Sequence, residues 1–405
     1  MTRHRTLALA LLTITLAGTV LRLHGITEQP PIRDETLSAF TAENYVEHGL
    51  FGPTMPFHPN LRNLVLYAST WALGTGVAGV RGPSLVMGIL SLPLLALVVL
   101  RLTGDRVAAG LAALFLAIDP VHITFSRQAI QEVHTTFFSL LGVLLTFRAF
   151  DDRWRLERIA WLPAAGIAFG LATASKHHGI FPLLVCLGLA VWASIRQRDW
   201  SRSSLALCSL VLLPLTVYLL TFIPWFQRGY GLEDWLPMQT ALFEEMVTHA
   251  GYIDSSVIDD RPWQWFLRPL MGYGNFSHVD GRSWVTIAMG NPLTWMLVLP
   301  ATIYLFRRQR TSQGVLVLQA LFWASYLPLA ISSRPIWLLS SVAVLPFAFG
   351  LVARSMSLWV AQRRWLAAFV SAAILASLLL YPLSTARGLE YSYLRPLVAR
   401  FNPHP

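Results

Sequence analysis

The chain has 405 residues, of which 55% are hydrophobic and only 13% charged, with a formal net charge of +10. Several apolar runs reach the roughly 20 residues that cross a bilayer once, so the composition describes a polytopic helical membrane protein rather than soluble domains. The positive charge does not mark a nucleic-acid binder. The arginines fall mostly in short loops between apolar runs, which is the positive-inside pattern.

The first apolar run, 7–23, follows a basic end and lacks a clean small-x-small cleavage site after it, so it reads as an uncleaved anchor. A polar loop over 24–61 follows. Within it, Leu37, Phe40, Tyr45 and Val46 alternate with polar residues in a pattern that predicts an amphipathic surface helix after Asp34. The moderately apolar stretch 62–80 is read as a second surface helix, because a crossing there would put the basic turn 101–106 outside. Further spans are expected at about 83–100, 107–123, 134–150, 159–175, 178–195, 203–224, 291–306, 313–330, 335–353 and 365–382, about eleven with the first.

This topology puts Arg101 and Arg106, Arg148 to Arg158, Arg196 to Arg202, Arg307 to Arg310, and Arg354 to Arg364 inside. The outside receives the Asp34 loop, the turn around Arg127 and Glu132, Lys176-His177-His178, the long loop 225–290, Arg334 and the C-terminal tail. Cys186 and Cys208 both lie in apolar runs and read as core residues rather than a disulfide.

One rim therefore gathers Asp34, Glu35, His58, Arg81, Asp119, His122, Arg127, Glu132, Lys176, His177 and His178. Charges at a membrane boundary are costly and usually face a water-filled site. Asp34, reachable from both water and membrane, is read as a catalytic base. The competing reading of Asp34-Glu35 is a solvated pair, that of Arg127 and Glu132 a polar turn, and that of Lys176 a snorkelling anchor. Lys176 is the only lysine in the chain, and its functional reading is a cation for a phosphate. Adjacent His177 and His178 point about 100° apart on a helix and rarely share one metal ion.

Several short motifs occur in order along the chain. They are Asp34-Glu35, His58-Pro59-Asn60-Leu61, Arg81-Gly82-Pro83-Ser84, and Ser126-Arg127 with Glu132. Further on come His249 with Tyr252 and Ser255, Arg261-Pro262-Trp263-Gln264-Trp265, and Gly290-Asn291-Pro292 with Trp295. Together they resemble the membrane-embedded GT-C glycosyltransferases, and within them the protein O-mannosyltransferases. Asn60 departs from that family's HPPL run, and Glu132 stands where the family has Asp. The 225–290 loop is too short for the β-trefoil domain of eukaryotic members, so a compact bacterial-type member is expected.

The resemblance implies an all-α, GT-C type protein with one transmembrane catalytic domain over 1–382. Its external loops 24–82 and 225–290 would form the active-site face, and 383–405 a short tail. It also implies transfer of a sugar, mannose first, from a polyprenyl-phosphate donor to a hydroxyl of a protein or glycan acceptor, with no nucleic-acid partner. The alternatives are a GT-C transferase acting on a lipid or cell-envelope glycan, and a secondary transporter. An inverting displacement needs one base, Asp34, with Glu35 beside it to orient acceptor or sugar or to share a cation. Arg81, Arg127, Lys176 and Arg334 would hold the donor phosphate. His58, Glu132, His249, Trp263 and Trp265 would touch substrate. No structural metal site is expected. A divalent cation, Mg or Mn, shared by Glu35, Glu132 or a histidine is the one candidate cofactor. The expected location is the bacterial cell membrane, with the active site on the external face.

Overall fold

The computed structural model describes residues 2–29, 31, 33–50, 58–150, 160–198, 200–248, 261–268, 271–279, 282–332, 336–359 and 362–385. His249, Arg334 and the tail beyond 385 lie outside the described residues. The chain begins with α1 (Thr2–Leu23), α2 (Arg33–His48), α3 (Leu61–Leu73) and α4 (Val77–Thr103). It continues through α5 (Arg106–Ile118), α6 (Pro120–Ser126), α7 (Gln131–Ala149) and α8 (Trp161–Ser175). After a tight turn, His177–Gly179, come α9 (Ile180–Gln197), α10 (Trp200–Leu207), a wider π-turn at Cys208–Leu212, α11 (Leu213–Leu220), α12 (Ile223–Gln227) and α13 (Leu232–Thr248). An antiparallel hairpin, β1 (Met271–Val279) and β2 (Arg282–Met289), interrupts the helices, with Met271 opposite Met289 and Val279 opposite Arg282. The chain then completes α14 (Pro292–Trp295), α15 (Val298–Arg308), α16 (Gln313–Ala330), α17 (Leu345–Ser357) and α18 (Arg363–Ser384).

By length and apolarity, five helical stretches among the described residues suffice to cross a membrane, or six if the bent pair α5–α6 is one span. The other expected spans are occupied by helices that are shorter, broken or more polar, so the expected eleven is not reached by this measure. α3 has 13 residues. That makes it about 20 Å long, short of the hydrocarbon thickness on its own. The rest of the 62–80 stretch does not belong with it: Val77 to Val80 open α4. Outward-facing Leu9, Leu12, Leu16 and Val20 recur at helical spacing along α1 and form a lipid-facing stripe. Cys186 is buried as expected, whereas Cys208 is exposed at the π-turn.

The loops expected on one side meet there. Arg101 donates from Nε and Nη2 to the Phe147 carbonyl at 2.9 and 2.7 Å, satisfying the end of α7. Arg354 pairs with Asp105, which also caps α5 by accepting from the Val107 and Ala108 amides. Arg354 also donates to Gln309 at 3.0 Å, which brings in the α15–α16 turn.

At the other side two arginines tie helix ends together. Arg22 of α1 donates to Ala117 O at 3.0 Å and Leu116 O at 3.2 Å, the last carbonyls of α5. Arg127, just past α6, donates to Arg22 O at 2.9 Å, His24 O at 2.6 Å and Gly25 O at 2.9 Å, at the end of α1. Helix C-termini leave carbonyls without partners, and a buried guanidinium satisfies several at once. Between α5 and α6 the chain bends by 62° at Asp119. The Asp119 carboxylate caps α6 at the His122 amide, 2.9 Å, and receives the Trp295 indole N–H at 2.7 Å. A Cβ at Gly290 would lie 2.2 Å from the Trp295 ring, so the Gly-Asn-Pro-x-x-Trp motif is the brace of this bend.

Candidate active site

α2 carries Asp34 and Glu35 in its first turn, where acids are favoured by the helix dipole. Neighbours on a helix diverge by about 100°, and the two acids have different surroundings. Glu35 is buried and holds Arg81 at two points, Nε to Oε1 at 2.7 Å and Nη2 to Oε2 at 2.8 Å. Arg81 also donates to Ile26 O at 2.6 Å and Gln29 O at 2.8 Å, and the Ala129 amide donates to Glu35 at 3.3 Å. One ion pair thus ties α2, α4, the α1–α2 connection and the α6–α7 turn. At the far end of α2, Arg228 donates to the His48 and Leu50 carbonyls. The helix is clamped at both ends.

Asp34 is half-buried, and among the described residues its carboxylate accepts no hydrogen bond. It faces a charged neighbourhood. Arg62, near the start of α3, is buried and donates to Gln131 at 2.6 Å and to Asn63 at 3.2 and 3.3 Å. Burial lowers the Arg62 pKa from its ordinary value, and the charges of Asp34 and Glu132 oppose that shift. Both carboxylates are therefore close enough to act on one guanidinium. Glu132, in the first turn of α7, pairs with Lys176 at the end of α8. Lys176 also donates to Ser340 Oγ at 3.2 Å. The second Glu132 oxygen, Oε2, is buried without a partner among the described residues. Arg62 thus links Asp34 to Glu132, and Glu132 links on to Lys176, a chain of charges drawn from four elements.

The geometry corrects several sequence expectations. Arg81 and Arg127 are not free for a phosphate: both are buried, with their N–H groups directed at protein acceptors. Glu35, expected to orient a substrate, is enclosed with Arg81. Trp265 is fully buried against Tyr326, so it is a packing residue, whereas Trp263 is 48% exposed. His58 is half-buried ahead of α3. His177 and His178 diverge as expected, His177 meeting the Tyr218 hydroxyl at 3.1 Å and His178 packing edge-on against Phe181. Asn60, the departure from HPPL, is buried and donates to Thr221 O at 3.2 Å. Glu35 and Glu132, the acids considered for a shared cation, each already hold a basic side chain. The sequence reading passed over Arg62. Its signal was a lone guanidinium opening an otherwise apolar stretch, since buried arginine is rare without a partner or a task.

Residues 13–229, more than half of the chain, match the family model described as dolichyl-phosphate-mannose-protein mannosyltransferase. The chain belongs to this mannosyltransferase family. A polyprenol-phosphate-mannose–protein mannosyltransferase of Mycolicibacterium smegmatis is 25% identical over 303 residues, 60% of this chain and 59% of that protein. The chain thus spans less than two thirds of that relative's length. Among solved structures, the S. cerevisiae protein O-mannosyltransferase Pmt1–Pmt2 complex bound to the sugar donor superimposes with a TM-score of 0.78 at 12% identity, covering 94% of this chain and 90% of that one. ArnT from Cupriavidus metallidurans bound to undecaprenyl phosphate gives 0.62 at 15% identity, covering 96% and 79%. At such identities the likeness establishes the fold: this mannosyltransferase-family chain is a polytopic membrane protein of the expected GT-C type. The small hairpin β1–β2 is set into that helical fold.

Proposed function

We propose that the chain transfers mannose from a polyprenyl-phosphate-mannose donor to a serine or threonine hydroxyl of a protein, at the membrane face opposite its arginine-rich loops. Family membership and the donor named in the relatives support this substrate pair. The single observation that carries the mechanism is the contrast within α2. Glu35 is locked to Arg81, while Asp34 accepts no hydrogen bond at its carboxylate among the described residues and acts by charge on Arg62.

In the reaction the acceptor oxygen attacks the anomeric carbon and its proton passes to Asp34. The bond from that carbon to the phosphate oxygen breaks, and its electron pair leaves with the lipid phosphate. Arg62 and Lys176 oppose the charge that builds on the phosphate, acting in a poorly hydrated setting where fixed cations are most effective. A single displacement from the face opposite the departing phosphate inverts the sugar. By the positive-inside rule the arginine-rich side is cytoplasmic, which puts Asp34 on the external face.

The test is to incubate the purified protein with radiolabelled polyprenyl-phosphate-mannose and a serine/threonine-rich acceptor peptide. Label in the peptide supports the reading. Label only in lipid or glycan fractions moves the chain to another acceptor class, and no transfer to any acceptor rejects the reading.

A further inference from the structure

Lys176 is held by an acid before any ligand arrives. Its ammonium has three donors; one goes to Glu132 and one to Ser340. The Lys176 side chain is 15% exposed and Glu132 only 1%, so of the two the lysine is the one nearer to solvent and the acid is the more deeply set. The spare Glu132 oxygen has no partner among the described residues, although a buried carboxylate oxygen is costly to leave unsatisfied. Counted with Asp34 and Arg62, the neighbourhood holds two acids and two bases and is close to neutral.

A mannosyl phosphodiester brings one negative charge to this site. The lipid monophosphate left after transfer carries about −1.5 to −2 at neutral pH, because its second pKa is about 6. A fixed acid behind the lysine repels the second species more than the first. We propose that Glu132 is a positioning residue that discriminates by charge: it weakens the hold of Lys176 on the lipid monophosphate product more than on the donor, and so promotes product release. The inference rests on the reading of Lys176 as a phosphate ligand.

The experiment measures binding of a short-chain polyprenyl monophosphate and of its methyl ester, a singly charged stand-in for the donor, to the purified full chain at pH 7.5. Wild type, Glu132→Gln and Lys176→Met are compared. Wild type should bind the two ligands with similar affinity. Glu132→Gln should favour the monophosphate over the ester by about tenfold more than wild type does, the size expected for one charge at partly buried range. The same variant should show stronger inhibition by added monophosphate during turnover. A purely structural role would move both ligands together, and an equal shift, or none, overturns the proposal. If Glu132→Gln does not fold, wild type alone decides: a tenfold or greater preference for the monophosphate overturns it. Lys176→Met should weaken both ligands. Unchanged binding of both in that variant removes Lys176 from the phosphate site, a failure of the parent reading that is separable from the role of Glu132.

Discussion

Glu35 and Arg81 form a two-point ion pair with side chains only 2% and 5% exposed. Their motif positions suggested chemistry, but the pair is enclosed, and its effect is to hold the start of α2 in place. Breaking such a pair from one side leaves a buried charge and costs about 3–5 kcal/mol. Glu35→Ala and Arg81→Ala should each lower the thermal midpoint of the purified protein sharply. The double variant should be less destabilised than the two effects added, as expected for partners in contact. Strict additivity, measured in a four-protein thermal series, would show that the two residues act independently.

Arg127 gives a second separation of structure from chemistry. Its guanidinium spans Gln29 and the carbonyls that end α1. Lysine keeps the charge but offers a point where this site needs a fork. Arg127→Lys should therefore destabilise nearly as much as Arg127→Ala, while the residual activity keeps its donor KM. A raised donor KM with an unchanged thermal midpoint would return Arg127 to the phosphate site.

Hydropathy and charge placement were enough to anticipate the helical membrane fold and which loops share a side. The contacts of Arg101 with Phe147 and of Arg354 with Asp105 and Gln309 show the latter directly. The roles of individual arginines were not legible. A guanidinium beside a membrane segment has the same sequence signature whether it caps a helix end, as Arg22 and Arg127 do, or waits for an anion. Only the acceptors around it decide, and those lie far away in sequence: Ala117 for Arg22, Glu35 for Arg81. The hairpin was missed for a different reason. Asp280-Gly281 between two strand-like runs is a strong turn signal, but it is a short one inside a long loop between apolar runs.

Arg62 is the residue the structure adds. Buried near both Asp34 and Glu132, it keeps donor capacity, among the described residues, beyond its bonds to Gln131 and Asn63. Arg62→Met should lower kcat by about 10²-fold, the usual size for one preorganised donor lost from a developing charge. Arg62→Lys should recover part of that. An effect confined to acceptor KM would instead place Arg62 on the acceptor side of the site.

Asp34 makes the sharpest prediction, because its neighbour serves as the control. Asp34→Asn keeps the shape and removes the basic lone pair, so turnover should fall by about 10²–10⁴-fold, the range of general-base contributions. The thermal midpoint should fall far less than in Glu35→Ala, since among the described residues the Asp34 carboxylate supports no hydrogen bond and acts on Arg62 only by charge. Donor binding should survive as well, because the cations lie on other elements. Asp34→Glu lengthens the stem by one methylene and moves the carboxylate by about 1 Å, a displacement that can cost about 10²-fold. Glu35→Gln should show the opposite pattern: it weakens the tie to Arg81, so stability falls first and activity follows. Turnover and thermal midpoint measured together for these variants separate the two acids. A stable Asp34→Asn protein with activity within a few-fold of wild type removes Asp34 from the chemistry and leaves Glu132, the other acid beside Arg62, to be tested as the base.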